Sequence, residues 1–214
     1  MDIIQIFYNN RNEEQAIPMA KYMRNLFPFL GLKTPVRKAL SKKFFKEKKK
    51  DKEIDWDFIF RCYELPEREF QYLAIDYMKE VADLFTPDDL GKIGELITTK
   101  SWWDTVDAIN HVVGHIAMKY PEVKETTILR WMESDNIWLK RISIIFQLKY
   151  KEKTDTEFLE KAILRNANTD EFFINKAIGW ALREYSKTNK EWVKNFIGNN
   201  QLSKLSVREG SKYI

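Results

Sequence analysis

The stretch Trp103-Asp104-Thr105-Val106-Asp107 can be laid, on its leading aromatic, over three others: Phe70-Gln71-Tyr72-Leu73-Ala74, Trp138-Leu139-Lys140-Arg141-Ile142 and Phe173-Ile174-Asn175-Lys176-Ala177. The leading aromatics stand 33, 35 and 35 residues apart, and a weaker fifth copy begins at Arg37, again 33 residues upstream. Each interval has room for one pair of helices joined by short turns, the unit of an α-solenoid. Helix start signals recur at matching places. Thr34-Pro35 reads as an N-cap followed by proline at the first helical position, and Thr86-Pro87-Asp88-Asp89 reads the same way with acidic residues in the first turn. Ser101 with Asp104 approximates a capping box, while Ser134-Asp135-Asn136 and Thr169-Asp170-Glu171 suggest two more starts.

Composition agrees. Seven glycines and six prolines in 214 residues leave few breaks, 32% of residues are charged and 44% are apolar. No Asn-Gly or Asp-Gly hairpin signal and no sustained period-2 run competes with the helical pattern. The tetratricopeptide consensus is missing, so the sequence predicts an all-α, HEAT-like helical-repeat solenoid, with residues 1–214 forming one curved domain. The single cysteine, Cys62, precludes an intramolecular disulfide and a cysteine-based zinc site. With no secretory signal and no apolar stretch of membrane-spanning length, a cytoplasmic location and no membrane association are expected.

The repeat register assigns faces. Offsets 0, +3, +4 and +7 share one side of a helix. Phe70, Leu73, Ala74 and Tyr77 make a wholly apolar or aromatic stripe, but Asp107, Arg141 and Lys176 interrupt the equivalent stripes of later copies. Charges on such a stripe need partners, or the stripe borders a cleft. Stacked copies would place these three and Trp180 on one concave surface able to hold an anionic polymer. The plainer reading is a salt bridge from Asp107 to Arg141 that ties neighbouring repeats together.

Other candidates carry less. Asp107, His111 and His115 form an i, i+4, i+8 line, yet valine occupies the general-base position of a His-Glu-x-x-His zinc site, and the line drifts by about 80°. Hydrogen-bonded histidines are expected there, with no metal. The run Lys42–Lys52 has seven lysines against Glu47 and Asp51 and outweighs the whole chain's net charge of +4. It is read as an exposed helix end, with a peripheral phosphate contact as its functional alternative. Cys62 reads as a buried thiol beside Phe60 and Tyr63. Of Trp102 and Trp103, one should pack inward while the other faces the cleft.

Lys100-Ser101-Trp102-Trp103-Asp104-Thr105-Val106-Asp107 resembles the signature of the DNA alkylation repair family, the AlkD-like HEAT-repeat DNA glycosylases. The likeness continues through Pro18-Met19-Ala20-Lys21-Tyr22-Met23, Thr34-Pro35-Val36-Arg37 and Leu65-Pro66-Glu67-Arg68-Glu69-Phe70. Ser134–Arg141 and Lys176–Tyr185 extend it, so that the blocks cover nearly the whole chain from about residue 12. The segment around Asn110, His111 and His115 departs from the family pattern, as does the C-terminus ending Lys212-Tyr213-Ile214.

This resemblance implies a monofunctional glycosylase that excises cationic N3- or N7-alkylated purines, such as 3-methyladenine and 7-methylguanine, from double-stranded DNA. It implies Asp107, Trp103 and Trp180 as catalytic residues. Arg141, Tyr22, Thr34, Lys38, Lys176 and Arg183 are expected to bind DNA. No cofactor is expected, and a monomer, associated with the nucleoid when bound to DNA, is the expected state. The competing class is a non-catalytic HEAT-repeat DNA-binding or scaffold protein of the same family. Asp107 separates the two, because a scaffold has no need of a carboxylate on the cleft stripe.

Overall fold

The helix starts announced by the sequence are realised, though not always by the residue expected to make them. The computed structural model describes residues 2–214, and among these there are α-helices, short 3-10 turns and one π-helical stretch at Lys124–Ile128, with no strand. The helices are α1 (Ile3–Asn9), α2 (Glu13–Tyr22), α3 (Thr34–Lys48), α4 (Trp56–Glu64), α5 (Arg68–Glu80), α6 (Leu90–Thr98) and α7 (Trp103–Lys119). They continue with α8 (Leu129–Met132), α9 (Ile137–Ile145), α10 (Thr156–Asn166), α11 (Phe172–Ser186), α12 (Lys190–Asn199) and α13 (Lys204–Gly210). The four aligned aromatics all fall at or near the starts of α5, α7, α9 and α11, so the spacing is a true helical repeat.

Caps explain several of these boundaries. Thr86 and Asp89 form a reciprocal capping box ahead of α6, and Asn136 Oδ1 accepts from the amides of Trp138 and Leu139. Glu171 caps α11 through Phe173 N–H. Two expected caps are not made. Thr34 is the first helical residue of α3 and Lys33 stands before it without a side-chain cap. Ser101 donates its hydroxyl back to the Ile97 carbonyl at 2.8 Å, leaving Trp102 at the cap position of α7. The serine thus stands one residue before the cap position and is out of register to accept from the first amides of α7.

The chain forms two compact units, one ending at Phe85 and the other Thr86–Ile214. In the first, Phe70, Leu73, Ala74 and Tyr77 are fully buried, as their stripe predicted, and α3 packs on α5. Glu69, buried at the start of α5, accepts the backbone N–H groups of Leu30, Gly31 and Leu32 at 2.9, 2.9 and 3.0 Å. Gly31 has φ +86°, and a β-carbon there would lie 1.9 Å from the Asn12 carbonyl oxygen, so only glycine fits this nest. Cys62 is buried, and desolvation raises its thiol pKa, as expected of an inert cysteine.

In the second unit α7, α9, α11 and α13 pack in succession. Polar ties fix their register: Asn110 Nδ2 donates to the Ile145 carbonyl at 3.0 Å, and Ser206 Oγ to the Asn175 carbonyl at 2.9 Å. Trp102, Trp138 and Phe173 form an aromatic triangle with centroids 4.9–5.8 Å apart. Trp102 is thus the inward member of the Trp102-Trp103 pair.

Candidate active site

Trp103 opens α7 and Asp107 follows one turn later, both half-buried. Four residues is slightly more than a turn, so the two side chains share a face. α9 brings Arg141 against it. Arg141 Nε donates to Asp107 Oδ1 at 2.7 Å and Nη2 to Oδ2 at 2.9 Å, a parallel fork that fixes the carboxylate's plane. Nη1 donates to the Phe173 carbonyl at 2.7 Å. One guanidinium therefore links α7, α9 and the first turn of α11.

The pair is unequally covered. The Arg141 side chain is 4% exposed and that of Asp107 18%, so the carboxylate is the member that meets solvent. Burial pushes the Asp107 carboxyl above its ordinary value. Arg141 pulls it down, Asp104 adds to the rise and His111 opposes it. The net direction is upward because removal of water penalises the charged form more than one fork compensates. Arg141 Cζ also lies 5.9 Å from the Trp180 ring centroid, which brings that indole within cation–π range of the same guanidinium.

Trp180 shares its face of α11 with Lys176 and Arg183, four residues before and three after. Both cations converge on Glu209 of α13: Lys176 Nζ at 2.9 Å and Arg183 Nη1 at 2.7 Å, with Lys212 Nζ at 2.8 Å as a third. Glu209 is buried while its three partners remain partly exposed, so the cluster presents net positive charge to solvent. Lys212, Lys176 and the hydrogen bonds they give hold the Glu209 carboxyl down at about 2. No sequence pattern marked Glu209 or Lys212 as part of a site. The only signal for them was a C-terminus unlike the family pattern, which carried no hint of their partners.

Asp107, Arg141, Trp103, Trp180, Lys176 and Arg183 thus all lie in the second unit, the first four on consecutive repeat helices. Arg141 has three of its donors committed within the protein, which realises the salt bridge weighed as the plainer reading. Tyr22, Thr34 and Lys38 belong to the first unit. Tyr22 ends α2 and is 71% exposed, and Thr34 and Lys38 are exposed one turn apart at the start of α3. His111 and His115 line a cavity of about 170 Å³ with Asn110, Met118 and Lys149. Among the described residues no group of three or more His, Cys, Asp or Glu could hold a metal ion, and no helix is long and apolar enough to cross a membrane.

Comparison with known proteins adds a family to this geometry. The sequence model of the DNA alkylation repair enzyme family matches residues 3–214. Among solved structures, one described as a predicted DNA alkylation repair enzyme from Enterococcus faecalis is similar, with a TM-score of 0.89 and 38% identity over 95% of this chain and 96% of that one. No curated protein matches.

Proposed function

The chain belongs to the DNA alkylation repair enzyme family, and on that basis we propose that it is a monofunctional DNA glycosylase releasing cationic N3- and N7-alkylated purines from duplex DNA. Alkylation at these nitrogens leaves the purine positively charged, so its glycosidic bond ionises without an acid to protonate the leaving base. The sugar then gains oxocarbenium character, and the demand on the protein is a fixed negative charge beside it. The observation that carries the reading is the Asp107 carboxylate, held in plane by Arg141 yet open to solvent on its own side.

In this reading Asp107 stabilises the sugar cation and orients the attacking water. A pre-held carboxylate costs no reorganisation at that moment. Trp103 and Trp180 present π faces to the sugar and exclude bulk water, a contribution on the order of 1–2 kcal/mol each where the contact is desolvated. Arg141 acts first as the group that fixes Asp107, and a phosphate contact from it uses its remaining N–H bonds. Lys176 and Arg183, partly exposed around Glu209, take neighbouring phosphates, as do Tyr22, Thr34 and Lys38 along the duplex. No cofactor or metal enters the scheme.

The test is incubation of methylated duplex DNA with the pure protein, with free N3-methyladenine and N7-methylguanine assayed directly. Release by the wild type, lost in Asp107→Asn while DNA binding persists, supports the glycosylase. The fork itself favours a second reading, since a carboxylate paired this well can simply tie α7 to α9 in a non-catalytic DNA-binding protein. Absence of release from every cationic lesion tried would establish that second reading instead.

A further inference from the structure

The two histidines of the chain stand at a cavity that the chemistry proposed above leaves unused. It lies between the later turns of α7 and the segment that follows α9, and has a volume of about 170 Å³. Its floor is drawn tight. A β-carbon on Gly114 would lie 2.5 Å from the Phe146 carbonyl oxygen, and Tyr150 donates its hydroxyl to the Gly114 carbonyl at 2.5 Å. Phe146 and Tyr150 are buried and line the cavity, as does Asn110, 3% exposed. Asn110 Nδ2 donates to the Ile145 carbonyl, and because a carbonyl only accepts, that bond fixes the amide's orientation. Oδ1 is thereby left buried with no hydrogen-bond partner among the described residues. A buried acceptor in that state costs free energy until a donor reaches it. At the rim, His111, Met118 and Lys149 are exposed and His115 is half-buried. Imidazole and ammonium N–H groups make this rim a set of donors. His111 follows Asp107 by one turn and its charge is felt at that carboxyl, so the rim adjoins the candidate active site.

We propose that this cavity is a product site, taking up the free alkylpurine after its glycosidic bond has broken. The choice of ligand rests on the glycosylase reading given above. When the bond from N9 to the sugar breaks, its electron pair stays on N9 and the cationic purine becomes neutral. The sugar carbon gains the hydroxyl of the attacking water, whose proton passes to solvent. Both expected products then present one pattern. Each has an exocyclic amino group as donor, N6 of 3-methyladenine or N2 of 7-methylguanine, and ring nitrogens as acceptors, N9 among them. Asn110 Oδ1 suits the amino group, while His111, His115 and Lys149 suit the ring nitrogens. An apolar cavity of about 150 Å³ holds benzene. A cavity of about 170 Å³ therefore takes a two-ring base with one edge left in solvent. The released base is no longer tethered to the duplex, so the site asks for no base flipping before the chemistry.

The experiment titrates the whole protein, without DNA, with N7-methylguanine and follows the histidine ring resonances by NMR. The chain has only two histidines and both line this cavity, so these signals report on the site alone. Both should shift and saturate. 1,3,7-Trimethylxanthine has the same two rings and no N–H to offer Asn110, so it should bind about tenfold more weakly or worse. Asn110→Ala should weaken N7-methylguanine by a similar factor, with circular dichroism checking that the fold survives loss of the Ile145 tie. Lys149→Ala, at an exposed position outside that tie, should weaken it by roughly threefold to tenfold. Absence of a saturable histidine shift in the wild type overturns the proposal. Equal affinity for the two purines overturns it as well, and so does full affinity in a folded Lys149→Ala. Base release is assayed separately, so the two readings fail separately. A protein that releases bases yet shows no shift keeps the glycosylase and loses the product site. One that shows the shift yet releases nothing keeps a purine site and loses the glycosylase.

Discussion

Asp107 is held between two opposing effects, and the balance has a consequence for activity. The working form is the carboxylate, and its pKa is raised by burial against the pull of Arg141. Base release should therefore fall at a higher pH on the acid side than an ordinary aspartate would give. Arg141→Gln removes the lowering partner and should move that acid limb further up, while also weakening the second unit by about 3–5 kcal/mol if a buried charge is left unpaired. A pH–rate profile of single-turnover release checks both, and an acid limb that stays in place in Arg141→Gln contradicts the assignment. Glu209 shows the opposite shift. Its carboxyl ordinarily titrates at 4.5 and is depressed to about 2 in the folded protein. A depressed carboxyl stabilises the fold fully above its unfolded value and loses that contribution as pH falls toward the folded one. Glu209→Gln should thus be less stable than wild type at neutral pH, and the difference should shrink between about pH 4.5 and 2, as read by denaturant melts across that window. Equal melting at neutral pH would mean the three cations gain nothing from Glu209. Asp107 was legible in the sequence because it broke an apolar stripe. Glu209 was not, since two of the three cations that give it meaning, Lys176 and Arg183, are brought to it only by folding.

At the scale of elements, close approach and capping decide how the helices join. Gly179 of α11 faces α13: a β-carbon there would lie 2.5 Å from Glu209 Cβ and 3.1 Å from the Ser206 carbonyl oxygen. Gly179→Ala should push α13 away from α11, destabilising by about 1–3 kcal/mol and loosening the Lys176, Arg183 and Lys212 cluster. Thermal melting measures the first effect, and a weakened salt dependence of DNA binding the second. Asn136→Ala removes the acceptor for two amides at the start of α9 and should cost about 1 kcal/mol, without changing the acid limb of excision. The start signals that succeeded, at Thr86 and Asn136, have their side chains bonded to the first turn of the element they open. Ser101 failed because the helix begins one residue too late for it: Trp102 takes the cap position, and the serine hydroxyl, one residue out of register, donates back to the Ile97 carbonyl. The tryptophan pair shows the same limit. Sequence could say that Trp102 and Trp103 diverge, but only packing against Trp138 and Phe173 showed which of them turns inward.

For the molecule as a whole, the proposed chemistry uses only groups the chain carries. Base release should therefore proceed undiminished in excess EDTA, and restoration of lost activity by added divalent cation would refute the scheme. The net charge of +4 is likewise a poor guide to what binds, since the lysines that supply it stand on and beyond α3. Taken alone, the sequence determined the all-α class, the repeat of about 35 residues, the stripes that become core, and the positions at which charge intrudes on them. These are local properties, because periodicity, helix starts and side-chain volume act within a turn or two of the chain. The tertiary structure decided which charges meet: Arg141 forks onto Asp107 across 34 residues, Glu209 gathers Lys176 and Arg183 from α11, and α5 closes a groove over the lysines of α3. An ion pair is set by distance in space, and distance in space between remote residues exists only once the helices have packed.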